Sequence, residues 1–276
     1  MGASEAGSFE EYRKVILRVA AEAAGLLRDL SCIESHTRVV RGETIRADLE
    51  SEEYIIDALR AEGMGGRVVT EERGLVELGG EGPTFIVDPL DGSTNYRNCI
   101  PWSSVSIAVA PRGSRRLRDV VAGVVAPVFW GSPLSFSRGS GCYEGAMRVE
   151  PLEEPAGVIF VYVERPDAAM ALAEVTKSLG GLKVRSLGSA ALELAYTALG
   201  RAKVFLDLRG KLRNVDVAAG LGLTVECGGS IVGEGGEPLD SGLDGVERVG
   251  TVISSPEQST LRRVLGILGG SGGGRP

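Results

Sequence analysis

Val15, Ile16, Val19, Ala23, Leu26, Leu27 and Leu30 recur at three- and four-residue intervals, the spacing of one helix face. Ser8 and Glu11 ahead of them have the spacing of a capping box, so the pattern predicts an amphipathic helix from Ser8 to about Leu30. The next stretch, RVVRGETIRADLE, is polar, contains Gly42 and predicts a mobile loop or hairpin. SEEYIIDALRAEG reads as a second helix stopped by Gly63. RVVTEERG and TFIVDPLDGS each drive an apolar or β-prone run into carboxylates, and SSVSIAVAPRG and VVAGVVAPVFW read as strands between turn signals.

Beyond Gly145 the pattern changes. GVIFVYVERP, KVRSL, AKVFLDL and VGTVISS have strand character. They alternate with helical stretches: PDAAMALAEVTKSLGG, GSAALELAYTALG, NVDVAAGLGLTVECGG and PEQSTLRRVLGIL. Such alternation predicts a layered α/β half. The chain divides on this reading into an α+β half, residues 1–150, and an α/β half, residues 151–276. The glycine-rich ending GGSGGGRP predicts disorder.

Composition narrows the chemistry. The 276 residues are 43% hydrophobic and 24% charged, as in ordinary globular proteins. A net charge of −7 argues against an electrostatic grip on nucleic acid or anionic lipid. No apolar run reaches the roughly 18 residues a membrane helix needs, and the N-terminus lacks a secretory pattern. His36 is the sole histidine, which disfavours histidine zinc sites and a Ser-His-Asp triad. Cys32, Cys99, Cys142 and Cys227 lie far apart with no Cys-x-x-Cys spacing. They predict free thiols in a reducing cytoplasm.

The acidic residues carry the strongest signal. In TFIVDPLDGSTN a strand ends on Asp88, Pro89 restricts the turn, Asp91 follows, and Gly92 permits tight geometry before Ser93. Carboxylates that close repel unless a cation lies between them or one is protonated. Glu71 and Glu72 end another apolar run, and Asp216 opens a nearly uncharged helix. Each alone has a bland reading as solvated face, turn or helix cap. Together, in a chain with few soft ligands, they point to a hard-cation site, Mg²⁺ first and Mn²⁺ next. No run has the alternating oxygen ligands of an EF-hand loop.

Four segments occur in one order: Glu71-Glu72, Asp88-Pro-Leu-Asp-Gly-Ser-Thr-Asn95, Arg185-Ser-Leu-Gly-Ser-Ala-Ala191, and Asp216-Val-Ala-Ala-Gly220 with Glu226-Cys-Gly-Gly229. Over roughly residues 8–268 they resemble the inositol monophosphatase-like, Mg²⁺-dependent, lithium-sensitive phosphatase superfamily. The similarity is greatest to archaeal members that act on both inositol monophosphate and fructose 1,6-bisphosphate. The resemblance implies an α+β fold, a layered αβαβα sandwich, and commonly a homodimer. It implies one Mg²⁺ on Glu71, Asp88 and the Leu90 carbonyl, a second on Asp88, Asp91 and Asp216, and a third, weaker one also using Glu71. Asp48 and Ser93 take the catalytic positions, Ser93 orienting water and Asp48 assisting proton removal; the bland alternative for Asp48 is a cap for a helix starting near Glu50. Asp91, Gly92, Ser93, Arg185, Ala190 and Arg209 fall at substrate-contact positions.

Two departures bear on the substrate. Val215 stands where the superfamily has tryptophan, and Arg209 where animal enzymes have a glutamate that touches inositol hydroxyls. An arginine suits a second phosphate, and Arg185, Lys211 and Arg213 could make the rim locally basic. The expectation is a phosphomonoesterase active on inositol 1-phosphate and fructose 1,6-bisphosphate, with small sugar or inositol phosphates as its partners. A 3′-phosphoadenosine 5′-phosphate phosphatase and a non-catalytic interaction protein are the alternatives. The polar loop is expected to act as a lid, and Trp102 to pack in the core.

Overall fold

The computed structural model describes residues 3–271. The N-terminal helix α1 spans Ala3–Asp29, followed by a single turn α2, Glu34–Thr37, and a two-stranded hairpin of β1, Val39–Arg41, and β2, Thr44–Ile45. Helix α3 runs Arg46–Ala61. Both α1 and α3 start earlier than their sequence signals: Ser8 lies inside α1, and Arg46 continues straight from the hairpin. The hairpin reading of the polar stretch is the one observed, with Gly42 at φ 55° in its turn.

Eight strands form the first sheet: β3 (Gly66–Thr70), β4 (Gly74–Gly79), β5 (Thr84–Asp91), β6 (Ser104–Ala110), β7 (Ala122–Pro127), β8 (Leu134–Ser137), β9 (Gly141–Glu144) and β10 (Met147–Val149). Their order is β10-β9-β8-β7-β6-β5-β3-β4, with only β3 and β5 parallel. The short helix α4, Ser93–Arg97, interrupts the path from β5 to β6. A second sheet combines β11 (Val158–Tyr162), β12 (Lys183–Arg185), β13 (Val204–Arg213), β14 (Ser230–Val232) and β15 (Arg248–Ser255) in the order β12-β11-β13-β15-β14. Helices α5 (Pro166–Ser178), α6 (Ala190–Ala198), α7 (Asn214–Glu226) and α8 (Gln258–Ser271) complete the fold. Gly269 to Ser271 of the glycine-rich ending thus belong to α8, and residues 272–276 lie outside the described residues.

Strand alternation sorts the core into three layers. Phe85, Val87, Val105, Ile107, Val109 and Val124 face α1 and α3. Ile86, Ala108, Val125, Phe160 and Phe205 face the middle layer, where α6 and α7 lie between the two sheets. Ile159, Val161, Val204 and Leu206 face the outer pair, α5 and α8. The result is an αβαβα sandwich whose central helices are almost entirely buried. Gly222 permits α7 to lie this close to the first sheet: a Cβ there would stand 1.9 Å from Phe136 Cζ.

The cysteines contradict the free-thiol expectation. Cys32 bonds to Cys99, and Cys142 to Cys227, leaving no free cysteine among the described residues. Separations of 67 and 85 residues hide these pairs from any spacing rule, because only the fold brings the partners together. The first pair joins the α1–α2 turn to the end of α4, and the second joins β9 to the end of α7. No helix is long and apolar enough to cross a membrane, among the described residues.

Candidate active site

Residues three apart on a strand normally face opposite sides of the sheet. Between Asp88 and Asp91, β5 gains one residue on β6: Asp88 pairs with Ser106 and Asp91 with Ser104. This bulge reverses the alternation, so both aspartates can serve the middle layer. Gly92, at φ 86°, then turns the chain into α4, where a Cβ would stand 2.9 Å from the Gly188 carbonyl oxygen. Parallel pairing of β3 with β5 sets Thr70 beside Val87, one step before Glu71 and Asp88. Asp216 arrives from the second half of the chain in the first turn of α7.

Glu71, Asp88 and Asp216 each bring a carboxylate oxygen into one group, all within 4.8 Å of one another. Asp88 is 2% exposed and Asp216 6%. Burial pushes the Asp88 carboxyl well up from its ordinary value, and Glu71, Asp91 and Asp216 add to the shift. Burial also raises Glu71, against the pull of Arg213. The repulsion among these acids, which adds to the effect of burial, also favours a multivalent cation among them. The donors are all oxygen, two of the three are buried and all three face the cleft, so the set fits a hard divalent ion.

One cation of the chain already touches this cluster. Arg213 Nη2 donates to Glu71 Oε1 at 2.7 Å and to Asp216 Oδ1 at 3.0 Å. Burial works against its charge, yet Asp216 and Glu71 hold its pKa above the usual arginine value. In the sequence Arg213 reads only as part of a basic rim; its pairing with Asp216 is local, three residues on, but the bond to Glu71 joins residues 71 and 213, which no local pattern connects.

Asp91 is held differently. Its oxygens accept from Ser189 Oγ at 2.5 Å, Ala191 N at 2.8 Å and Ala190 N at 3.2 Å. Those two amides open α6, so its positive end faces Asp91. Burial still raises the Asp91 carboxyl to about 7. Glu72 points elsewhere from Glu71: its Oε2 accepts from Thr44 Oγ1 of the hairpin at 2.7 Å. The structure thus separates the glutamate pair, Glu71 to the acidic group and Glu72 to the hairpin.

The cleft around these groups has a volume of about 360 Å³. Leu90, Asp91, Gly92, Ser93, Ala190 and Arg209 line it together with the acidic cluster. Glu43 at the hairpin turn, Thr94, Tyr162 and Gly188 also line it and were missing from the sequence-based set. Tyr162 was hidden in an apolar strand, where its parity with Phe160 is the only signal. Arg209 is fixed by Asp207, with Nε 3.0 Å from Oδ2, and its guanidinium carbon lies 4.1 Å above the Tyr162 ring.

Other expected residues stand apart. Arg185 is exposed on edge strand β12, donates to the Val184 carbonyl and is not among the cleft's lining residues. Lys211 pairs with Glu164 at 2.6 Å on the surface. The rim therefore carries two arginines, both engaged by acids, rather than a free basic patch. Asp48 Oδ2 accepts from Ile45 N at 2.6 Å, so it caps α3, which starts at Arg46 and not near Glu50. Burial raises its carboxyl to about 8. Among the described residues, Asp48 and Ser93 share no hydrogen bond. Trp102 packs against the core and stacks on Tyr196, as expected of a core residue.

Glu193 braces the loop before α6, accepting from Leu187 N at 2.8 Å and Gly188 N at 3.1 Å. Burial pushes its carboxyl up to about 8 from 4.5. Between these values the folded protein holds a proton that the unfolded chain releases, so this group's contribution to stability falls as pH rises from about 4.5 to 8. Chemical denaturation across that range should show a decline in stability, shared with Asp48 and Asp91, that Glu193→Gln makes shallower. A Glu193→Gln protein with an unaltered slope would assign the pH dependence elsewhere.

The profile of the "Inositol monophosphatase family" matches residues 9–264. An inositol-1-monophosphatase of Aeropyrum pernix is 49% identical over 269 residues, covering 95% of this chain and 98% of that protein. A fructose-1,6-bisphosphatase/inositol-1-monophosphatase of Methanothermobacter thermautotrophicus is 30% identical, covering 88% and 87%. Among solved structures, a Pyrococcus horikoshii protein described as having similarities to inositol-1 monophosphatase superposes with a TM-score of 0.76 at 25% identity, covering 93% of this chain and 97% of that one.

Proposed function

Because the chain belongs to the inositol monophosphatase family, we propose that its cleft hydrolyses inositol 1-phosphate with Mg²⁺ held by Glu71, Asp88, Asp91, Asp216 and the Leu90 carbonyl. The chain is a phosphoric monoester hydrolase, of a metal-dependent family. The observation that carries the proposal is the convergence of residues 71, 88 and 216, from three separate segments, within 4.8 Å. Two to three Mg²⁺ ions, or Mn²⁺ in their place, would supply Lewis acidity to phosphoryl oxygens and water.

The protein's own groups do the rest. Gly92, Ser93 and Thr94 wall the cleft, where backbone N–H groups and the Ser93 hydroxyl hold a phosphoryl oxygen and orient the attacking water. Asp48 stands at the position that receives that water's proton by way of Ser93 Oγ, a transfer that requires the two side chains, which share no hydrogen bond here, to meet in the loaded cleft. Residues 1–150 supply every proposed metal ligand except Asp216, and residues 151–276 supply Asp216 and the substrate contacts Ala190 and Arg209. A homodimer and a cytoplasmic location complete the proposal; structural disulfides persist inside cells of hyperthermophilic archaea.

Arg209 favours fructose 1,6-bisphosphate as a second substrate. Asp207 and Tyr162 hold its guanidinium at the cleft, oriented in advance for a second phosphate. Steady-state kinetics on inositol 1-phosphate, fructose 1,6-bisphosphate and 3′-phosphoadenosine 5′-phosphate, with Mg²⁺ and with EDTA, test both readings. Turnover of the first two should vanish in EDTA. Arg209→Ala should lower kcat/KM for the bisphosphate by about 10- to 100-fold, the value of a charged hydrogen bond, and spare inositol 1-phosphate. An equal loss on both substrates rejects the bisphosphate role. Preference for the nucleotide, or no turnover at all, rejects the main proposal.

A further inference from the structure

Helix α3 carries three buried polar side chains, Asp48, Ser51 and Glu52. Spacings of three and four residues put them on one helical face. Each reaches a different segment of the site. Asp48 takes the Ile45 N–H at the end of the hairpin. Ser51 Oγ donates to the Pro89 carbonyl at 2.7 Å, inside the Asp88–Asp91 bulge. Glu52 reaches the turn that bears Glu71.

Glu52 is fully buried. Its Oε1 accepts from Thr70 Oγ1 at 2.7 Å and from the backbone N–H groups of Glu72 and Arg73, each at 3.2 Å. Its Oε2 pairs with Arg73 Nε at 3.0 Å. These donors flank Glu71 on both sides. A buried carboxylate needs such partners to be tolerated, and here they are the backbone of a turn that must aim one glutamate inward and the next outward. We infer that Glu52 is a positioning residue, which fixes the turn after β3 so that Glu71 faces Asp88 and Asp216 while Glu72 faces Thr44. Ser51 does the same for the bulge from the neighbouring position on α3. The face of one helix thereby sets the relative placement of two ligand-bearing turns from separate strands. The inference rests on the metal-site reading above.

Calorimetric titration of the full chain with Mg²⁺ alone, after EDTA treatment, tests it without reference to turnover. Glu52→Ala removes the acceptor and should weaken Mg²⁺ binding by about 10- to 100-fold, the usual effect of losing an outer-shell partner. Glu52→Gln retains an amide oxygen at Oε1 and should restore affinity to within a few-fold. KM for inositol 1-phosphate at saturating Mg²⁺ should change little in either variant. If Glu52→Ala does not fold, Thr70→Val and Ser51→Ala, which each delete one donor, should each weaken Mg²⁺ several-fold. Native affinity in Glu52→Ala, or in both donor variants, overturns the inference while leaving the metal site intact. A Glu52→Gln protein as impaired as Glu52→Ala overturns it too. Absence of Mg²⁺ binding to the unaltered chain instead overturns the reading on which it rests.

Discussion

Asp88→Asn should abolish turnover of inositol 1-phosphate, lowering kcat by at least about 10³-fold, or about 4 kcal/mol in the barrier. Asp88 is the shared member of the proposed ligand set and lies at the centre of the acidic cluster. Its amide would keep the volume and lose the charge that attracts a divalent cation. The stability effect should run the other way. Asp88 has its proton affinity raised by burial and by Glu71, Asp91 and Asp216, so neutralising it relieves repulsion in the metal-free protein. In EDTA the variant should therefore melt at or above the temperature of the unaltered chain. Rates at saturating Mg²⁺, with melting curves in EDTA, check both halves. Near-native turnover would remove Asp88 from the mechanism; a large loss of stability in EDTA would contradict the repulsion argument.

Reduction of the two disulfides should be the largest perturbation of stability. Loops of 67 and 85 residues correspond to about 2–4 kcal/mol each, and their joint loss to a melting point lower by about 10–20 °C. The two bonds should also open in sequence. Cys32 and Cys99 are exposed, whereas Cys142 is 2% exposed. Mild reductant should release the first pair in the native protein, and the second only on unfolding. Alkylation and mass spectrometry before and after each treatment resolve the order. Four alkylatable thiols in protein unfolded without reductant would contradict the pairing.

The proposed ligands were legible together rather than singly, because three acidic ends of apolar runs or helices recur in a chain with few soft ligands. Strands such as β5, β6 and β7 were legible from their β-prone apolar runs. Strands β4 and β8 to β10 were not, because at three to six residues they are too short to set their pattern apart from the turns around them. The sharper losses concern long-range pairing. Charge alone does not divide Glu71 from Glu72; in the fold Glu52 and Thr44 do that, 20 and 28 residues from Glu72. Arg213 looked like a rim charge until α7 set it against Glu71. Arg185 falls within a recognisable segment yet sits on a sheet edge away from the cleft. Cysteine pairing was invisible for the same reason.

Glu71, Asp88, Asp91 and Asp216 should together form a divalent-cation site. Crystals grown with Mn²⁺ and phosphate, measured at the manganese absorption edge, test it most directly. The account predicts anomalous peaks bounded by Glu71, Asp88, Asp91 and Asp216, with the Arg213 guanidinium drawn away from Glu71. Anomalous density absent from the cleft, with Arg213 still bonded to Glu71 and Asp216, would contradict it.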